Sequence, residues 1–226
     1  MKALIVYGSP GRKHSASYRL GSSFGKGLTA AGFAVDEIVV YDHEIRHCLG
    51  CRSCWSKTPG ECVQQDPMRA FLERQKKAEV LVLATPLYFY TVPGMMKDYI
   101  DRQMPLFLDS FLKAMGRIPK DAPVWPDGVR VVLVSPCGFP ERENFDALTL
   151  MMKKIYGRAF VADLLVPFAS EISEDRGEAK FAGLYEMIRT IGEKFGRTGE
   201  ISSESRKQFE AATTPDMERI RRMRGA

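Results

Sequence analysis

Ala3-Leu4-Ile5-Val6-Tyr7, followed directly by Gly8-Ser9-Pro10-Gly11-Arg12-Lys13-His14-Ser15-Ala16-Ser17, is the stretch that decides the fold. Five apolar residues without polar alternation read as a strand covered on both faces. A loop rich in Ser and Gly then leads into residues 18–31, a helical pattern that Gly32 stops. Strand, polar loop and helix make the first half of a βαβ unit, and the pattern repeats along the chain. Strands are expected at 34–41, Val80–Ala84, 130–135 and Phe160–Val166, and helices at 67–77, 92–102, 145–156 and 179–195. Asp66 is placed to cap the second helix, with Pro67 at its first position. The alternation predicts an α/β fold, a doubly wound five-stranded parallel sheet of order 2-1-3-4-5 with helices on both faces.

Two regions exceed that plan. Within 103–128, Met104, Phe107, Leu108, Phe111, Leu112 and Met115 recur at helical spacing, an apolar stripe on an inserted helix. The stripe suits a core helix, a lid or a subunit contact, and supports an expected homodimer or tetramer. Residues 197–226 read as a polar helical extension packed outside a main domain at 1–196, broken once by Pro215.

Composition excludes several classes. In 226 residues, 45% are hydrophobic and 27% charged, as in an ordinary globular chain, so disorder and collagen-like structure are out. No apolar run reaches the roughly 20 residues a membrane helix needs, and residues 1–7 read as a strand rather than a signal peptide, so a cytoplasmic location is expected. The charge of +5 is mild. Arg219, Arg221, Arg222 and Arg224 read as a solvated face, with no nucleic-acid-binding signature behind them. No Gly-x-Ser-x-Gly elbow points to hydrolysis.

The chemistry gathers in loops that follow strands, where such sheets bind ligands. In the first loop the hydroxyls of Ser9, Ser15 and Ser17, the charges of Arg12 and Lys13, and a helix N-terminus converge where an anion can sit. It matches neither a dinucleotide nor a nucleotide-triphosphate fingerprint. The second loop, Thr85-Pro86-Leu87-Tyr88-Phe89-Tyr90-Thr91, carries three aromatics suited to a flat conjugated ring. In the third, Ser135-Pro136-Cys137-Gly138-Phe139-Pro140, Gly138 permits close backbone approach to a ligand. Four of the five cysteines crowd into Cys48-x2-Cys51-x2-Cys54-x7-Cys62, which points to metal or redox chemistry. Four thiolates are a full ligand set for a 4Fe–4S cluster and equally for a structural zinc. A loop without metal is the third possibility, since Pro59-Gly60 marks a turn that leaves the reach of Cys62 open.

Gly8-Ser9-Pro10, Cys48-Leu49-Gly50-Cys51, Asp66-Pro67-Met68, Thr85-Pro86-Leu87-Tyr88 and Lys97-Asp98-Tyr99-Ile100-Asp101-Arg102 together resemble the flavodoxin-like NAD(P)H-dependent FMN reductases, in the branch of iron–sulfur flavoproteins. The resemblance implies that Ser9, Arg12, Ser15, Ala16 and Ser17 hold the phosphate of FMN. Pro86, Leu87, Tyr88 and Phe89 would line the flavin ring, and Cys137 and Gly138 would face it. The family's first loop reads Gly-Ser-Pro-Arg and ends in Asn-Thr; here Gly11 stands in the Arg place and Ala16-Ser17 in the last two, so Arg12 would compensate one residue later. The resemblance also favours a cluster on Cys48, Cys51, Cys54 and Cys62. The expected activity is electron transfer from NAD(P)H through FMN to a quinone, flavin, metal or protein acceptor. A carrier of single electrons between proteins, without nicotinamide, is the alternative, and a flavin-free binding module on the same fold is a third class.

Overall fold

The computed structural model describes residues 1–121, 124–170, 172 and 180–218. The basic cluster Arg219 to Arg224 lies outside the described residues, as does the start expected for the last large helix. Five strands, β1 (Lys2–Tyr7), β2 (Ala34–Val39), β3 (Val80–Ala84), β4 (Arg130–Pro136) and β5 (Phe160–Val166), form one sheet of order β2-β1-β3-β4-β5. Every pairing is parallel, and the register sets Tyr7 beside Ala84 and Ala84 beside Val134, so the strands end in line.

The strands alternate their side chains between two cores. Leu4, Val6, Leu81, Leu83, Val131 and Leu133 face one side, under helices α2 (Met68–Lys76), α3 (Gly94–Asp101) and α5 (Asp146–Tyr156). Ala3, Ile5, Val80, Val82, Val132 and Val134 face the other, under α1 (Ala16–Ala30) and α6 (Ala182–Thr198). Central β3 is buried along its whole length, which explains its unbroken apolar run, while edge strand β2 exposes Asp36 and Glu37. α1 and α6 approach so closely that a Cβ on Gly27 or Gly192 would run into the facing backbone.

Two expectations change in three dimensions. The inserted stripe forms a 3₁₀ turn, Met104–Phe107, and a short helix α4 (Leu108–Ala114), with Leu108 buried but Met104, Phe111 and Met115 exposed. The extension does not stand apart. Its helix α7 (Ser203–Thr213) buries Phe209 in the core beneath α1 and α6, and Arg206 pairs with Asp163 of β5 at 2.8 Å. Phe209, with the Arg206–Asp163 pair and the Arg142 bond to Thr213, docks the helix, a signal that its overall polarity hides. Among the described residues no helix is long and apolar enough to cross a membrane.

Candidate functional site

The loops after β1, β3 and β4 are pinned to the sheet by backbone bonds. The Gly8 N–H donates to the Ala84 carbonyl at 2.9 Å, Thr85 N–H to Val134 at 3.0 Å, Leu87 N–H to Pro136 at 3.0 Å and Cys137 N–H to Val166 at 2.9 Å. The loop geometry is therefore an extension of the ladder. Between them opens a crevice of about 360 Å³ lined by Ser9, Ser15, Ala16, Ser17, Pro86, Leu87, Tyr88, Cys137 and Gly138, with Ala169 and Ser170 from the loop after β5. It shares Leu87, Tyr88, Cys137 and Gly138 with a groove of about 490 Å³ that Phe89, Tyr90, Phe139 and Asn144 extend outward.

The three serines have different tasks. Ser15 caps α1: its Oγ accepts the Tyr18 N–H at 3.2 Å, and its hydroxyl donates to the Arg12 carbonyl at 2.7 Å. Ser9 Oγ accepts the Gly11 N–H at 3.3 Å, which leaves its hydroxyl proton for a ligand. Ser17 is 1% exposed, and its Oγ has no hydrogen-bond partner among the described residues. An unpaired buried hydroxyl costs stability unless something completes it. Here it stands in the first turn of a helix whose dipole favours an anion. The donors fit a phosphate, and the adjoining aromatic groove fits a flat ring.

Arg12 departs from the other expected residues. It adopts a left-handed backbone (φ 48°), and its guanidinium donates to the Tyr41 carbonyl at 3.1 and 3.0 Å and pairs with Asp42 at 2.9 Å. These partners lie just past the end of β2, and Arg12 is not among the residues that line the crevice. Sequence reasoning passed over Ala169, Ser170 and Asn144. The only available signal was their position just past a strand end or beside the third loop.

The second loop closes in a miniature hairpin. Tyr88 and Thr91 exchange both backbone hydrogen bonds at 2.9 Å, and Phe89 (φ 44°) and Tyr90 (φ 65°) both lie in the left-handed region. Bulky residues rarely adopt that conformation, and the strain holds Phe89 out, 98% exposed, at the rim of the groove. Cys137 is buried, its Sγ accepting the Phe139 N–H at 3.3 Å, and burial pushes its thiol pKa up, so it stays protonated and unreactive.

The four-cysteine loop lies at the same carboxyl edge, after β2. Cys48, Cys51, Cys54 and Cys62 all line one cavity of about 500 Å³, walled by Ile100, Met104, Pro105 and Phe107. The Pro59-Gly60 turn is closed rather than loose: Gly60 N–H donates to the Cys54 carbonyl at 2.9 Å, and Thr58 Oγ1 donates to the Glu61 carbonyl at 2.8 Å. Hydrogen bonds from Ser53 lower the pKa of exposed Cys51, whereas burial raises that of Cys54. Trp55 stacks on Phe111 at 4.6 Å and donates its indole N–H to the Met104 carbonyl at 2.8 Å. The 3₁₀ turn Met104–Phe107 is thus a wall of the cysteine cavity, and α4 holds Trp55 of the loop through Phe111. Among the described residues no three His, Cys, Asp or Glu side chains converge on a point where one metal ion would sit.

This five-stranded parallel sheet of order β2-β1-β3-β4-β5, with its crevice at the carboxyl ends of the strands, defines a flavodoxin-like fold. Residues 1–112 of the chain match the NADPH-dependent FMN reductase family. It is 36% identical over 105 residues to an iron-sulfur flavoprotein of Archaeoglobus fulgidus, a match covering 46% of each chain. A second iron-sulfur flavoprotein, from Methanocaldococcus jannaschii, is 26% identical over 212 residues, 91% of this chain and 99% of its own. Most of the first curated relatives are matched over only about half their length. The fold resembles the NAD(P)H:quinone oxidoreductase of Methanothermobacter marburgensis, with TM-score 0.58 and 18% identity, over 88% of this chain and 96% of the other.

Proposed function

We propose that the protein is an FMN-dependent oxidoreductase that takes electrons from NAD(P)H and passes them to a quinone, flavin, metal or protein acceptor. The observation that carries this reading is the unpartnered, buried Ser17 hydroxyl in the first turn of α1, opening into a crevice that continues as an aromatic groove. Ser9 and Ser17 would donate to the phosphate, with the Ser15–Ala16–Ser17 turn presenting the positive end of the helix. Pro86, Leu87, Tyr88 and Phe89 would cover one side of the ring, and Cys137 and Gly138 would stand against the other. FMN bound there supplies two-electron exchange with a nicotinamide and one-electron exchange with single-electron partners. The protein's part is to orient the ring, exclude water on the covered side and leave the outer groove open to a second ring. Protein reconstituted with FMN and titrated anaerobically with NADPH and NADH tests this reading. Loss of the flavin absorbance near 450 nm on adding either nucleotide supports it; retained FMN that neither nucleotide reduces rejects the reductase reading in favour of a carrier between proteins.

A second reading adds a 4Fe–4S cluster on Cys48, Cys51, Cys54 and Cys62. It is supported by four cysteines that line one cavity, a full ligand set for such a cluster, and by the chain's similarity to iron-sulfur flavoproteins. Iron and acid-labile sulfide near four per chain after anaerobic reconstitution are expected. The exposed Met104, Phe111 and Met115 support a homodimer or tetramer, which light scattering would report.

A further inference from the structure

We propose that Arg102 is the positioning residue of the four-cysteine loop, clipping its two ends together so that Cys62 faces the other three thiols; the inference rests on the reading of that loop as the metal-binding one. Just past the end of α3, Arg102 is 1% exposed at its side chain and its partner Asp66 is 4% exposed. Its guanidinium donates to Asp66 through two N–H groups, at 2.7 and 2.9 Å, and to the Arg46 carbonyl at 2.8 Å. Asp66 in turn accepts the Arg46 N–H at 3.0 Å and the Met68 N–H at 3.2 Å.

Arg46 precedes Cys48 and Asp66 follows Cys62, so one planar cation holds the entry and the exit of the loop at once. Arg102 also neighbours the Cys62 thiol, and both line the cavity. Cys62 is the ligand that its spacing leaves least determined, and the Arg102 guanidinium interacts with its thiol. A lysine would keep the charge but not the fork, and a point charge cannot hold two carboxylate oxygens and a carbonyl in one plane. Drift of the loop ends would leave a buried charge uncompensated, which opposes it even though the Arg102 Nε–H has no partner among the described residues.

The test compares the full-length protein with Arg102→Lys, both loaded with FMN. Two measurements are made: hydrogen exchange of amides in 47–65 without metal, and iron per chain after anaerobic reconstitution. The clip predicts unchanged FMN retention, exchange in the loop about tenfold faster, and iron held roughly 10–100-fold more weakly. Wild-type exchange together with wild-type iron retention in Arg102→Lys overturns it. Should the wild-type protein take up no iron, the cluster reading falls and the exchange comparison alone decides the clip. Should Arg102→Lys fail to fold, the uncharged pair Asp66→Asn/Arg102→Gln is put through the same two measurements, with the same outcomes deciding.

Discussion

The crevice and the cysteine loop share the carboxyl edge of the sheet, but they are held in opposite ways. The crevice loops are short and hang from strand ends through backbone bonds such as Gly8 to Ala84 and Leu87 to Pro136. The cysteine loop has one 3₁₀ turn, Ser53–Trp55, and its ends are tied down by side-chain bonds: Arg102 and Asp66, the Gln64 amide on the His47 carbonyl at 2.9 Å, and His47 on Asp98 at 2.7 Å. A site on strand ends inherits its geometry from topology. A site on a long loop depends on a few buried clips, and single substitutions should therefore damage the two regions differently.

The largest expected effect is Arg102→Gln, which strands Asp66 as a buried charge and should cost about 3–5 kcal/mol in urea unfolding. The carboxylate sets a matching pH dependence. Burial raises the Asp66 pKa, but hydrogen bonds from Arg102 and the Arg46 N–H outweigh it and leave it below the usual range. Its contribution is therefore fully present above the unfolded value of about 3.9 and is lost as pH falls through the lower folded value. Acid titration followed by exchange should show the cysteine loop opening before the crevice loops; simultaneous opening would erase the contrast.

Ser17→Ala should act with opposite signs on the two states. FMN affinity should fall by about 1.5–3 kcal/mol, the worth of a hydrogen bond to a charged group, while the flavin-free protein gains about 1 kcal/mol by losing an unpaired buried hydroxyl. Adding Ser9→Ala should weaken FMN further, and fluorescence titration would read both. Gly138→Val comes next: its Cβ meets no protein atom within 4 Å, so thermal unfolding should not change. The side chain would intrude on the groove and cost FMN about 1–3 kcal/mol. The smallest effect is Phe89→Asn/Tyr90→Gly, which suits the left-handed turn and should stabilise by about 1 kcal/mol in denaturant.

Legibility follows the same division. The three crevice loops can be read from sequence because each sits directly after an apolar strand, and parallel topology brings strand ends together. Within them the sequence could not assign tasks: Ser15 serves the helix and Ser17 the crevice, although both are serines in one loop. Arg12 illustrates the limit. An exposed arginine goes to whichever carbonyl and carboxylate the fold presents, and here those are Tyr41 and Asp42 at the end of a neighbouring strand.

Local pattern by itself determined the α/β class, the five strands, their order and the four-cysteine loop, because hydrophobic period and turn residues act over a few neighbours. Only the tertiary structure decided that Phe209 docks α7 on the main core, that the 3₁₀ turn Met104–Phe107 walls the cysteine cavity, and that Arg102 and Asp66 join the ends of the cysteine loop. Each of these joins residues far apart in the chain, and the energy of a buried contact depends on which groups meet, not on their spacing in sequence.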